Sequence, residues 1–387
     1  MRDRDPVLVE RMRGFGTTIF AEMSALAVET GAINLGQGFP DTDGPNVVLE
    51  AAVAAIRSGH NQYPPGDGIP ELRRAVAAHQ EHWYGLEWDP DGEVLATAGA
   101  TEAIAASVLA LCDAGDEVVA LEPFYDSYQA SAALAGARLV GVPMRPPQFT
   151  FDPAELEAAV TERTRMLLVN SPHNPLGRVL DPGELEALAD VARRHDLIVV
   201  TDEVYEHLAF DTPHTPMATL PEMAERTITI SSAAKTFSVT GWKIGWLTAP
   251  RHLVDAVRTV KQFLTYTNGS PFQPAIAGAL GLDDATFEWI RADLRAKRDV
   301  LSAGLEAVGF GVTPSEGTYF VTADLRPLGA DDGMAFCREL PHRAGVVAIP
   351  HEVFWERKEI GRPYVRFAFS KRPDVLREAC ARLGALA

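Results

Sequence analysis

From residue 93 to residue 232 the chain alternates short apolar runs with helix-period segments, and no other feature restricts the fold as much. The runs are EVLATAG (93–99), EVVALEPF (117–124), RLVGVP (138–143), MLLVN (166–170), IVVTDEVY (198–205) and TITISS (227–232). Rich in β-branched residues and bounded by polar clusters, they are too short for buried helices. Between them lie TEAIAASVLALC, read as a helix opened by Thr101, then PAELEAAV, then PGELEALADVARRHD with Pro182 near its first turn. Strand–helix alternation of this kind predicts an α/β fold, a mainly parallel central sheet sandwiched by helices.

At 387 residues the chain exceeds the size at which one hydrophobic core stops growing, so two domains are expected. The pattern changes after residue 270. A long helical stretch from Pro274 to Val308, broken near Gly281, leads into GTYFVTAD, GVVAIP and YVRFAFS, which reads as a smaller α+β domain. The expected division is an N-terminal segment 1–38 packing with the small domain, a large domain 39–275 and a small domain 276–387.

The net charge of −18, spread along the chain, argues against a nucleic-acid partner, which needs a basic face. No run approaches the roughly 18 apolar residues of a membrane helix, and the charged start MRDRDPVLVERMRG lacks the apolar core of a signal peptide. Cys112, Cys337 and Cys380 stand apart without CxxC spacing, as reduced thiols of a cytoplasmic protein would. The histidines show no HExxH pattern, and no metal is expected.

In an open parallel sheet, ligands bind outside the carboxyl ends of the strands. GAT, EPFYDSY, NSPHNP, DEVY and SSAAK all fall there. The turn at Gly99, Ala100 and Thr101 opens a helix whose free N–H groups and positive dipole end suit a phosphate; the alternative is a simple Thr101 N-cap. Asp202 is either a loop carboxylate or the partner of a buried cation. Asn174 is a turn former or a ligand donor, and Tyr125 and Tyr205 are packing aromatics or ligand contacts. Lys235 lies in ISSAAKTFSVTGWKIGW, bracketed by apolar residues rather than by other charges. Desolvated amines have a larger neutral fraction, which is nucleophilic and forms Schiff bases with aldehydes. An aldehyde cofactor carrying a pyridine ring and a phosphate would use every one of these groups. Asp202 would keep the ring nitrogen protonated, Asn174 and Tyr205 would donate to the phenolic oxygen, and Tyr125 would cover the ring face. Ser232 and Lys243 would join the 99–101 amides at the phosphate. A rival reading of Ser232-Ala-Ala-Lys235 is the SxxK nucleophile of penicillin-binding proteins and serine β-lactamases; the companion KTG is missing, since Lys235 is followed by Thr236-Phe237.

Together NLGQGFPD (34–41), NQYPPGDGIPELR, GATEAI, EPFYDSY, NSPHNPLGRV, TDEVYEHLAF and SSAAKTFSVTGWKIGW resemble the fold-type I pyridoxal-phosphate aminotransferases. The resemblance is strongest to the branch of kynurenine/glutamine and N-succinyldiaminopimelate aminotransferases. It runs in the family's order from about Thr17 to the C-terminus. It implies the PLP-transferase fold, pyridoxal 5′-phosphate as cofactor, and catalysis by Lys235, Asp202 and Tyr205. Cofactor contacts are implied at Gly99, Ala100, Thr101, Tyr125, Asn174, Ser232 and Lys243, and at Tyr63 given by the other subunit of a homodimer, with the region of Tyr266, Thr267 and Asn268. Ala100-Thr101 is small where some relatives carry a tyrosine, so a different local contact is expected there. The substrate carboxylate falls to Arg366 of PYVRFAFS, whose planar fork suits it; read alone, the alternative is an arginine salt-bridged inside the small domain. Gly38 and Phe20 lie where relatives line the substrate pocket.

The resemblance implies ping-pong transfer of the α-amino group of an L-amino acid to a 2-oxo acid, with Lys235 moving the proton. N-succinyldiaminopimelate, kynurenine, glutamine, methionine and aromatic amino acids are all candidate donors. Relatives in the kynurenine branch also perform β-elimination on cysteine S-conjugates, so a C–S lyase is the alternative chemistry. A non-catalytic cofactor-binding regulator is the alternative outside enzymology.

Overall fold

The protein's structure, a computed structural model, describes residues 7–16 and 18–386. Thr17, where the family resemblance starts, lies outside the described residues.

Seven strands form the central sheet, in the spatial order Val94–Thr97, Gly245–Thr248, Thr227–Ser232, Ile198–Asp202, Thr164–Asn170, Glu117–Glu122 and Arg138–Pro143. The pairs from Thr227–Ser232 to Arg138–Pro143 are all parallel, and only Gly245–Thr248 runs antiparallel to its neighbours. This is the mainly parallel α/β sheet that the alternation predicts. Gly245–Thr248 has no counterpart among the sequence expectations. Four residues behind a glycine-rich turn carry too little apolar pattern to register as a strand.

Successive residues of each strand serve opposite cores, as a period of two demands. Val118, Ala120, Met166 and Leu168 join the cluster under helices Ala100–Leu111 and Arg251–Lys261; Val119, Leu121, Leu167 and Val169 join the cluster under Pro182–Arg194. Each fully buried Val or Leu of this kind contributes about 1.5–3 kcal/mol. Helix Pro182–Arg194 starts where its sequence says it should. Asp181 accepts from the Glu184 amide, and the Glu184 carboxylate accepts from that of Asp181.

The chain after residue 270 builds a second layer. Helices Phe272–Leu280 and Asp284–Val308 are separated at Gly281, and four antiparallel strands follow in the order Ile349–Pro350, Tyr364–Ala368, Phe320–Asp324, Gly311–Thr313. Near the N-terminus, Ile33–Asn34 pairs in parallel with Val346–Val347, and Ala368 donates to the Leu35 carbonyl. Residues 33–38 therefore run along the edge of this layer, over the carboxyl ends of the large sheet. Among the described residues, no helix is long and apolar enough to cross a membrane.

Candidate active site

Strand ends of the large sheet and the edge of the second layer enclose a crevice of about 390 Å³, a size typical of a small-molecule site. Its walls include Gly38, Phe20, Ala100, Thr101, Tyr125, Asn174, Asp202, Tyr205, Lys235 and Arg366, residues drawn from both ends of the chain.

Asp202 ends the central strand Ile198–Asp202 and is 6% exposed. Tyr128 donates its phenol to the Asp202 carboxylate at 2.6 Å, and the Val204 amide lies at 3.4 Å. Burial raises the carboxyl above its usual range, while the Tyr128 hydrogen bond opposes that shift. Asn170 ends the neighbouring strand and fixes the loop between them. Its amide donates to the carbonyls of Asp202 (2.7 Å) and Pro172 (3.1 Å), and its oxygen accepts from the Asn174 amide (2.7 Å). Asn174 is thereby aimed into the crevice.

Lys235 sits in the single turn Ala233–Thr236 that follows strand Thr227–Ser232, directly after the buried Ser232. The lysine is half-buried, and its Nζ lies 5.9 Å from the ring of Tyr205 and 5.7 Å from that of Tyr319. Its surroundings are aromatic walls facing the crevice rather than a closed apolar core. Tyr205 and Tyr319 meet edge to face at 5.3 Å, and burial holds the Tyr205 phenol well above its ordinary range. Tyr125 also faces the cavity, its phenol pushed up to about 12 chiefly by burial.

The helix Ala100–Leu111 presents its first amides to the same space. Gly99 is the N-cap, with φ 77° and no side-chain cap, a conformation open to glycine and strained for other residues. Thr101 is exposed within the first turn and does not cap the helix, so the simple N-cap alternative for Thr101 is set aside. Lys243 is exposed, in the left-handed region at φ 55°; a Cβ placed on Gly99 would lie 3.5 Å from its Nζ. The strain fixes an ammonium beside uncapped amides.

Arg366 is 2% exposed, the largest fully buried side chain. Phe320 covers its guanidinium at 3.9 Å, Phe354 at 4.9 Å and Phe20 at 5.4 Å. Its amines donate to Asn174 Oδ1 (2.8 Å) and the Gly36 carbonyl (3.2 Å), and Nε has no partner. Among the described residues no carboxylate pairs with it, so the alternative of an internally salt-bridged arginine is set aside. Burial pushes it down to about 10, leaving it cationic at neutral pH. Gly38 completes this wall: its carbonyl accepts from the Tyr319 phenol at 2.8 Å, and a Cβ there would meet the Phe320 ring at 2.7 Å.

Tyr63 stands outside the crevice of its own chain, 85% exposed and edge-on to Tyr266 at 5.9 Å. Asn268 is turned inward and donates to the carbonyls of Thr97 and Lys243. Sequence reasoning missed Tyr128, Asn170, Tyr319 and Phe320. Tyr128 was within reach: in FYDSY it stands one helical turn after Tyr125, on the face that returns to the strand end. Asn170 and the 319–320 pair carry no local signal, since only the fold brings them here.

The crevice thus holds an amine, a buried carboxylate without a cation in contact, uncapped helix amides beside an ammonium, and a guanidinium without an acid. Those vacant charges match a pyridine nitrogen, a phosphate and a carboxylate. A family model, aminotransferase class I and II, matches residues 30–383. The chain is 54% identical over 390 residues to the probable N-succinyldiaminopimelate aminotransferase of Mycobacterium tuberculosis, covering 98% of each protein. It is 39% identical to the methionine aminotransferase of Escherichia coli, covering 95% of each. A solved structure of N-succinyldiaminopimelate aminotransferase from Mycobacterium tuberculosis superposes with a TM-score of 0.96 at 55% identity, over 98% of this chain and all of that one. The chain belongs to the class I and II aminotransferases and is a transaminase of the pyridoxal-phosphate-dependent kind.

Proposed function

We propose that the crevice binds pyridoxal 5′-phosphate at Lys235 and the α-carboxylate of its amino-acid substrate at Arg366, and that the substrate is N-succinyldiaminopimelate with a 2-oxo acid as counterpart. The observation that carries the carboxylate site is the buried Arg366 guanidinium, charged and without an acid, in the same cavity as Lys235 and Asp202. The substrate's identity draws on similarity to the mycobacterial protein.

When bound, the cofactor supplies an aldehyde for the amino group and a ring that accepts electron density from Cα. Asp202 would hold positive charge at the ring nitrogen, and Tyr128, by donating to that carboxylate, favours its ionised form against burial. Asn174 and Tyr205 face the phenolic oxygen. Tyr125, which lines the crevice, would lie against the ring. Gly99, Ala100, Thr101, Ser232 and Lys243 form the phosphate end. Arg366 grips the carboxylate, with Phe20 and Phe320 excluding water from its faces. Lys235 Nζ would act as the base that takes the proton from Cα and as the acid that returns it on the carbon beyond the substrate nitrogen.

A homodimer completes the proposal. Tyr63 and Tyr266 meet edge to face on the surface, and Phe263 and Leu264 just before Tyr266 are exposed too, apolar area that a two-fold partner would bury. Tyr63 would then reach the phosphate in the partner's site.

Borohydride reduction of the cofactor-loaded protein followed by peptide mapping should leave the pyridoxyl group on Lys235. Lys235→Ala should lower the transamination rate by about four powers of ten. A label elsewhere, or a Lys235→Ala enzyme of near-normal rate, sinks the assignment. A panel of amino donors should show N-succinyldiaminopimelate turning over with the highest kcat/KM; preference for methionine or kynurenine would overturn the substrate.

A further inference from the structure

Behind the crevice, on the far side of the turn that carries Asp202 and Tyr205, lies a second buried polar cluster. His79 comes from helix Pro70–Tyr84; Glu206 and His207 follow strand Ile198–Asp202. They are 3%, 6% and 9% exposed. One ligating atom from each lies within 4.8 Å of the others. None of the three lines the crevice.

The hydrogen bonding of this cluster is incomplete. His79 Nε2 and His207 Nε2 are 2.7 Å apart, so at most one carries a proton between them. Ser231 donates to one oxygen of Glu206, while among the described residues Glu206 Oε2 and His79 Nδ1 have no partner within hydrogen-bond distance, although the Tyr84 phenol faces that carboxylate. Buried polar atoms rarely remain unpaired. Beyond them the rings of Phe287 and Trp83 stand 4.5 Å and 5.0 Å from that of His207, while the buried Tyr84 phenol, Glu203 and His214 face Glu206. A carboxylate in such surroundings calls for a cation, and no lysine or arginine pairs with Glu206 among the described residues.

We propose that His79, His207 and Glu206 form a site for one divalent transition ion of the zinc class, which ties helix Pro70–Tyr84 to the turn after Asp202. Two imidazoles and one carboxylate suit zinc, cobalt or nickel; magnesium and calcium prefer an all-oxygen set. Three protein ligands leave the fourth tetrahedral position to water. Zinc–nitrogen bonds of about 2.0–2.1 Å place two ligand nitrogens roughly 3.3 Å apart. The imidazoles therefore separate by a few tenths of an ångström from their present contact, a rotamer adjustment. Ser231 already orients the carboxylate from outside, as ligating carboxylates are normally held. No sequence motif announces the site because His79 and His207 are 128 residues apart.

The site is independent of the cofactor assignment, and so is its test. The tag-free, cofactor-loaded protein is dialysed and its metal content measured by mass spectrometry. Zinc affinity is then measured by competition with a chromophoric chelator, and a cobalt titration is followed in the visible. The expected result is one zinc per chain, tetrahedral cobalt bands, and affinity reduced at least 100-fold in His79→Gln, His207→Gln and Glu206→Gln. His82→Gln, which alters an exposed histidine one turn away, should retain full affinity. Circular dichroism confirms that each variant is folded. Absence of stoichiometric binding at micromolar zinc overturns the proposal. Binding that the three cluster variants leave intact overturns it equally, because the ion then sits elsewhere.

Discussion

The two charged walls of the crevice are built on opposite principles. On the large sheet, Asp202 is held by its own chain: Tyr128 donates at 2.6 Å, and Asn170 fixes the loop through two backbone carbonyls and an amide. On the four-stranded sheet, Arg366 makes only neutral hydrogen bonds, to Asn174 and Gly36, and its Nε is orphaned. The Asp202 carboxylate is held in position by hydrogen bonds before any ligand arrives. The Arg366 wall leaves a buried charge that only a ligand can neutralise. A resident cofactor needs a fixed seat, whereas a substrate that enters and leaves every cycle gains affinity from a charge that water does not reach.

The sharpest break of this comparison is Asp202→Asn, which keeps the shape and removes the charge. Loss of one partner from a buried ion pair costs about 3–5 kcal/mol, so kcat/KM should fall by roughly two to four powers of ten. A loss below tenfold in steady-state assays would mean that the carboxylate does not face a cation. Next comes Arg366→Lys, which keeps the charge and loses the planar fork. A fall of about 100-fold in kcat/KM is expected, mostly as a raised KM for both amino and oxo acids. The converse variant, Arg366→Met, should abolish carboxylate affinity yet stabilise the ligand-free chain by about 1–3 kcal/mol in denaturant titration, because it removes an unpaired buried charge. Destabilisation instead would show that Asn174 and the aromatic rings already satisfy the guanidinium.

The sequence made these two walls legible to different degrees. Asp202 is readable because it terminates a run of β-branched residues, and a strand end in a parallel sheet is where ligands sit. The sheet itself follows from the same runs, since period and length determine strands wherever both faces are buried. Arg366 was placed through family resemblance. From PYVRFAFS alone a salt bridge inside the small domain stays open, and only the fold shows that no carboxylate of the described residues pairs with it, Asp126 across the crevice acting at longer range. Gly245–Thr248 and Tyr319 were invisible for a similar reason: what defines them is a neighbour far along the chain, Val94–Thr97 for the strand and Gly38 for the phenol. Sequence alone leaves a Thr101 cap open because hydroxyl N-caps are common, whereas a glycine at φ 77° leaves the helix amides free for a ligand.

Tyr128→Phe sharpens the comparison from the Asp202 wall. It removes one hydrogen bond to a charged group, worth about 1.5–3 kcal/mol, so kcat/KM should drop by about one to two powers of ten. The partner substitution tells its cause. If Tyr128 acts through Asp202, then Tyr128→Phe in an Asp202→Asn background should cost almost nothing further. An additive loss in that double-mutant cycle would give the phenol a separate task.

The smallest expected effect tests whether the Arg366 wall is kept free of other positive charge. His351 and His173 lie buried near it, and burial is the main cause pushing each down to about 3, with the Arg366 charge adding to the effect at His351. His351 stays neutral by accepting from Trp355 Nε1 on Nδ1 at 2.9 Å, with Thr322 Oγ1 at 3.2 Å from Nε2. A histidine with a folded pKa below its unfolded value of 6.5 binds fewer protons in the native state. Its contribution is therefore complete above pH 6.5 and is lost as pH falls toward 3. By pH 5.5 each of the two should cost on the order of 1 kcal/mol of stability. Replacing His351 with Gln, which keeps an acceptor and a donor but cannot take a proton, should flatten the slope of unfolding free energy between pH 6.5 and 5 by about a quarter, because burial holds His79 and His207 down as well as His351 and His173. An unchanged slope in urea titrations across that range would place the acid sensitivity elsewhere and leave the guanidinium indifferent to its histidine neighbours.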